Sequence, residues 1–160
     1  MANQNVNVAH NKVSDLKKLH ADLGAYTRKC LTIACREISS YAKSHHRYKD
    51  RTGRLTNAIR FKVIGNERNR RQMLGQVYVD TNEVPYADYI EEGTEPHIIR
   101  ARRVKRLRFF WERIGKVVYM KQVSHPGNSA YNYLRDARRS VSVRAIFERE
   151  KANLIRELTK

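Results

Sequence analysis

Tyr86-Ala87-Asp88-Tyr89-Ile90-Glu91-Glu92-Gly93-Thr94 opens the stretch on which the reading of this chain turns, and His125-Pro126-Gly127 closes it. Between them run His97-Ile98-Ile99, a basic tract from Arg100 to Arg108, the aromatic block Phe109-Phe110-Trp111 and an alternating segment from Lys116 to Val123. Pro85 suits the first turn of a short helix, where its missing N–H is no loss, and Gly93 suits the left-handed residue that closes it. Residues 98–111 read as a strand or long β-arm, with Glu112-Arg113-Ile114-Gly115 as its turn. Val117, Tyr119 and Val123 on one face, and Val118 and Met120 on the other, read as a strand covered on both sides. Pro126-Gly127 fits the central positions of a type II turn, the glycine supplying positive φ. A helix stop, two strands, a turn and a strip of positive charge describe an assembly surface.

Upstream, residues 1–12 carry Asn, Gln and small residues without a period, which predicts a flexible or partner-bound N-terminal arm. A long helix is expected from near Ser14. Leu16, Leu19, Leu23, Tyr26, Cys30, Ile33, Ile38 and Tyr41 recur at helical spacing, as one stripe packed on a sheet or facing a neighbouring subunit. His45-His46-Arg47-Tyr48-Lys49-Asp50-Arg51 ends that pattern in a polar, basic link, and adjacent histidines on such a link do not converge on one metal ion. Thr52-Gly53-Arg54-Leu55 predicts a turn into a short helix capped by Thr52. Ile59, Phe61 and Val63 then alternate as a half-buried strand. A loop over 65–72 bears Arg68, Arg70 and Arg71, and Val77 and Val79 return as the second strand. Beyond Gly127, residues 131–139 and 143–158 read as helices, with Ser142 capping the second. The whole predicts an α+β chain: a mostly antiparallel β-sheet, a long N-terminal helix, a short middle helix, and C-terminal helices packed on the sheet. Residues 13–160 form one domain in this reading.

Composition narrows the partners. Lys and Arg number 33 against 16 Asp and Glu, for a formal charge of +17. Such a surplus calls for a polyanionic neighbour: nucleic acid, an anionic membrane or acidic protein. A membrane is the weakest of these, because no apolar run approaches the ~18 residues of a span. The start of the chain lacks a signal-peptide core, so cytoplasmic synthesis is expected. Cys30 and Cys35 on one helix lie roughly 7.5 Å apart along its axis, too far to bridge, and read as small buried hydrophobes.

Chemistry has little to work with. Glu91, Glu92, His97 and His125 are the available acids and bases, yet Glu91 and Glu92 are adjacent and diverge by about 100° on a helix. There is no phosphate-cradling glycine loop, no serine in a glycine elbow and no zinc spacing, so no catalytic or metal-binding residue and no cofactor is assigned. Between Arg100 and Arg108, six of nine residues are Arg or Lys. On a strand, Arg100, Arg102, Arg106 and Arg108 would share one side and Arg103 and Lys105 the other. With Arg68, Arg70 and Arg71 they form the candidate contact for a polyanion or an acidic partner. Sequence-specific DNA reading has no helix-turn-helix or finger to support it. Phe109-Phe110-Trp111 reads as core or subunit contact rather than a base-stacking platform.

These elements occur in a telling order: Thr52-Gly53-x-Leu55 with Ile59, Tyr86-x-x-Tyr89-x-Glu91-x-Gly93-Thr94, His97-x-Ile99 with Leu107-x-Phe109, and His125-Pro126-Gly127 with Leu134 and Ala137. Over roughly residues 50–138 the chain resembles the minor tail component family of tailed bacteriophages, described also as tail-completion, tail-terminator or head–tail joining proteins. Ala58 and Ala101 stand where that family often has Ser and Pro. The resemblance implies a non-enzymatic virion protein, made in the bacterial cytoplasm, that forms a ring in the neck, a hexamer first and a dodecamer second. Portal or adaptor proteins would lie on the head side and tail proteins on the other, with genomic double-stranded DNA passing non-specifically through the channel. The motif residues Thr52, Gly53, Leu55, Tyr86, Tyr89, Glu91, Gly93, Thr94, His97, His125, Pro126 and Gly127 would build its subunit interface. Six copies of a +17 chain carry 102 formal charges, whereas a layer ~30 Å deep faces only about 18 DNA phosphates. Acidic protein surfaces are therefore the expected destination of most of the arginine. The competing reading is a basic nucleic-acid-binding protein that assembles no ring.

Overall fold

A computed structural model describes the backbone of residues 2–67 and 72–158 and the side chains of residues 15–67 and 72–157. The first element is one long helix, α1 (Ala2–Ser44). Its start at Ala2 lies well before the predicted Ser14, so the helix takes in the segment predicted as an arm. After the link come α2 (Arg54–Ala58), β1 (Ile59–Ile64), β2 (Leu74–Val79) and α3 (Ala87–Glu92). The remainder is β3 (His97–Arg100), β4 (Leu107–Trp111), a 3-10 turn over Glu112–Ile114, β5 (Lys116–Met120), β6 (Gln122–His125), α4 (Tyr133–Ser140) and α5 (Val143–Leu158). The α+β class holds, and every ladder is antiparallel. The described strands form three two-stranded ladders, β1–β2, β3–β6 and β4–β5, rather than one sheet.

The core gathers where α1 crosses the β1–β2 hairpin. Ile38 and Ala42 of α1 pack with Leu55, Ala58, Ile59, Val84, Ala87, Tyr133 and Ala137, all buried. Burying these side chains is the main stabilising term, on the order of 1.5–3 kcal/mol for each large aliphatic one. Of the expected stripe on α1, Cys30 and Ile38 are buried, but Leu16 and Leu19 remain 65% and 44% exposed. The small residues Ala34, Cys35, Ser39 and Ala42 do the close packing instead. Gly75 of β2 shows why small side chains are needed: a Cβ there would stand 2.6 Å from the Cys35 Sγ. Both cysteines are free and buried, and burial pushes both thiols up.

Two further expectations change. The C-terminal helices α4 and α5 pack chiefly on α1 rather than on a sheet face. Tyr26 joins α1 to α5: its hydroxyl donates to the Phe147 carbonyl at 2.6 Å, and the two rings meet edge to face. Burial pushes the Tyr26 hydroxyl up to about 12. Lys29 adds an ion pair to Glu150 at 3.0 Å. The link after α1 is not simply solvated either. Tyr48 is buried in it, edge to face with Tyr131 and Tyr133, and His46 stacks on its ring. No described helix is long and apolar enough to cross a membrane.

Candidate functional site

The segment from Thr94 to Asn128 folds into one bent β-ribbon. Thr94 and Asn128 exchange two backbone hydrogen bonds at its base, each 2.9 Å. β3 and β6 continue the pairing from His97↔His125 to Arg100↔Gln122. The Ala101 amide then donates to the Lys121 carbonyl at 3.0 Å. β4 and β5 resume at Leu107↔Met120 and run to Trp111↔Lys116. Residues 102–106 are thus extra on one strand, facing no partner, and such a bulge bends a ribbon. The bend shows at the tip, where Glu112 meets Arg51 of the post-α1 link at 3.4 Å.

This geometry corrects the reading of 98–111 as one strand. Arg102, Arg103, Lys105 and Arg106 stand on an exposed loop, so the two-sided alternation predicted for them does not exist. Arg100 ends β3, and Arg108 lies in β4 with its Nε donating to the Tyr119 hydroxyl at 3.2 Å. The segment Lys116–Val123 also breaks, at Lys121, into β5 and β6. It is not covered on both sides: Phe110, Val117 and Tyr119 share one open face, 60%, 42% and 58% exposed. Phe109 and Trp111 lie on the other face, 6.4 Å apart, and Trp111 is also exposed, so the aromatic block is no part of the core. Arg68, Arg70 and Arg71 lie outside the described residues.

At the base of the ribbon the other motif residues converge. Tyr86, Tyr89, Ile90, Thr94, His97, Ile99, His125 and Asn128 line an open, largely apolar cleft of about 660 Å³. Thr52 and Leu55 line a second hollow of about 400 Å³, which shares Tyr86, Ile90 and Asn128 with the first. Pro85 lies in the turn before α3 rather than in its first turn. Gly93 ends α3 with φ +80° and an extended ψ, a conformation outside the left-handed helical well that glycine alone adopts readily. A Cβ on Gly93 would stand 2.6 Å from the Asn128 carbonyl oxygen. Gly127 also has positive φ, as expected, and its bare Cα lies against the Thr94 carbonyl oxygen.

Glu91 has a structural task. Its carboxylate accepts hydrogen bonds from the Leu134 and Arg135 amides at 2.9 and 3.1 Å, capping α4 from α3. A carboxylate at a helix N-terminus also meets the positive end of the helix dipole. Asn132 occupies the N-cap position itself, at φ +50°, but its side chain makes no cap, and its buried Oδ1 has no partner among the described residues. The histidines face each other across the ladder with ring centroids 5.1 Å apart. His97 Nδ1 donates to the Glu95 carbonyl at 2.8 Å, and His125 Nδ1 accepts from the Gly127 amide at 3.1 Å. Each ring therefore has one nitrogen tied to local backbone. No three of His, Cys, Asp and Glu converge to hold a metal ion among the described residues.

The cap of α2 is Asp50, not Thr52. The Asp50 carboxylate accepts from the amides of Gly53 and Thr56 and from the Thr56 hydroxyl, at 2.8, 3.0 and 2.6 Å. Burial alone would raise its pKa, but these hydrogen bonds prevail and hold the carboxyl below its ordinary value. Thr52 contributes one long bond, accepting from the Arg54 amide at 3.4 Å. An Asp three residues before Gly53 was the available signal. Asp50 lay hidden in a run of cations, as did Tyr48.

No protein-family model, no curated protein and no solved structure matches the chain. Fold and site together define an α+β protein with a bent two-stranded ribbon, an apolar cleft at its base and a cationic loop at its bend.

Proposed function

We propose that this chain is a structural protein of a tailed-bacteriophage virion: a ring-forming neck subunit that completes or terminates the tail and joins it to the DNA-filled head. One observation carries the proposal. The residues of the Tyr86–Thr94 and His125–Gly127 motifs meet at the root of the ribbon, where they serve backbone geometry, capping and an open apolar cleft. Exposed Phe110, Val117 and Tyr119 supply apolar area suited to a subunit contact. The cationic loop suits acidic neighbours, the portal or adaptor on one side and tail proteins on the other, with duplex DNA passing non-specifically within. In this reading the protein catalyses nothing, takes no cofactor and is located in the virion.

Charge reversal at Arg102 and Arg106 tests it. Particles from the double variant are expected to fail at head–tail joining, with filled heads and free tails accumulating. Normal infectious yield, or purified virions lacking the chain, would refute the proposal.

A second reading, a basic nucleic-acid-binding protein without ring assembly, draws on the same exposed cations of the 102–106 loop. It expects a monomer or dimer whose binding to generic DNA falls steeply with salt. Light scattering separates the two, because a neck subunit forms a ring or binds neck proteins.

A further inference from the structure

α1 outruns the helix that packs along it. Arg149 pairs with Glu37 and Glu150 with Lys29, at 3.2 and 3.0 Å, so α5 runs antiparallel to α1. Leu154 and Glu157 border the same hollow as Lys18 and Asp22, which puts the end of α5 near Lys18. From there α1 continues to Ala2, roughly 24 Å at 1.5 Å per residue. Leu16, Leu19, Leu23, Tyr26, Cys30 and Ile33 recur along α1 in alternating steps of three and four, the spacing of a helix-pairing seam. The later part of that seam is in use: Tyr26 meets Phe147 of α5, and Cys30 is fully buried. The earlier part is open. Residues 15–21 are all exposed, and Leu16 and Leu19 keep 65% and 44% of their surface.

The borders of the open part decide what fits it. With 3.6 residues per turn, Leu16, Leu19 and Leu23 fall within about 60° of arc; Asp15 and Asp22 border that arc on one side and His20 on the other. Asp15 and His20 are exposed, and neither has an ion pair with a described residue. An apolar face with an acidic border on one side and an imidazole on the other complements a parallel copy of itself. In the register of a parallel helix pair, Asp15 of each copy meets His20 of the other. Antiparallel pairing sets the acidic borders against each other, where like charges repel. We infer that two copies of this chain pair through the projecting end of α1, parallel and in register, with Leu16 and Leu19 of each packed on the same residues of the other. The seam that α5 covers within one molecule is thus continued by a second molecule. This contact goes beyond the ring reading and does not depend on it.

Light scattering of the full chain over a concentration series tests this. Wild type is expected to pair, and Leu16→Glu with Leu19→Glu in one chain to weaken pairing by roughly 30-fold or more. Both side chains are exposed, so circular dichroism and the melting temperature at low concentration stay as in wild type. Asp15→Lys alone and His20→Glu alone each weaken pairing several-fold, and the two together in one chain restore it, which a general loss of helix would not do. Mild oxidation reads the direction: a Leu19→Cys chain cross-links to another copy of itself. Three results overturn the inference: a wild-type chain that stays monomeric throughout, a Leu16 and Leu19 double variant that associates as wild type does, or Leu19→Cys chains that cross-link only to Leu16→Cys chains. A large assembly that the double variant leaves unchanged overturns this contact alone and leaves the ring reading standing. The ring reading fails on a separate observation, the lack of this chain in purified virions.

Discussion

Asp50 accepts three hydrogen bonds in a segment that otherwise carries mostly positive charge, and those bonds fix how the chain leaves α1 and enters α2. Asp50→Ala is expected to lower stability by about 1–2 kcal/mol in urea unfolding at pH 7, whereas Thr52→Ala costs less than about 0.5 kcal/mol. The pH dependence follows from the direction of the shift. A carboxyl held below its unfolded value of ~3.9 adds stability above that pH and loses it as pH falls through the folded value. The difference between wild type and Asp50→Ala should therefore shrink when unfolding is repeated near pH 3. Gly93 is the second decisive residue. Its φ of +80° and the 2.6 Å approach of the Asn128 carbonyl leave no room for a methyl group. Gly93→Ala is expected to lower the unfolding free energy by about 1–3 kcal/mol, an effect that Gly115→Ala, with open space around it, shares only through its backbone strain.

At the scale of elements, the ribbon is where sequence and structure diverge most. Alternation of Ile59, Phe61 and Val63 marked β1 correctly, and Ser142 capped α5 as expected, its hydroxyl accepting from the Ala145 amide at 3.3 Å. A run of six cations in nine residues has no apolar period, so nothing in it marks where pairing stops. The bulge was illegible for that reason. Glu91 was recognisable as part of a motif, but its partners lie 43 and 44 residues away and no local pattern reveals them. Tyr48 shows the converse: tertiary packing with Tyr131 and Tyr133 overrides a polar neighbourhood. The bulge makes an element-scale prediction. Limited trypsin digestion should cut within 102–106 well before Arg60 or Lys62, whose backbones are paired in the β1–β2 ladder. Mass mapping of the first fragments checks this, and early cuts in β1 would contradict the loop's placement.

For the whole molecule, the question is where a +17 surplus goes. If the four loop cations each neutralise a phosphate, replacing Arg102, Arg103, Lys105 and Arg106 by Gln lowers the salt slope of duplex binding by roughly 3.6. Docking against protein predicts a change below about 1 in that slope, together with loss of assembly. Measuring DNA affinity from 50 to 200 mM salt for both chains decides between these destinations.

A ladder of only two strands has no interior: β1 to β6 each turn one row of amides and carbonyls away from any other described strand. Every second amide along the ribbon should then trade its hydrogen for deuterium rapidly in the isolated chain. If, as proposed, the chain assembles and copies add strand to strand, those same alternate positions become the slow ones, so the exchange pattern itself would trace the seam.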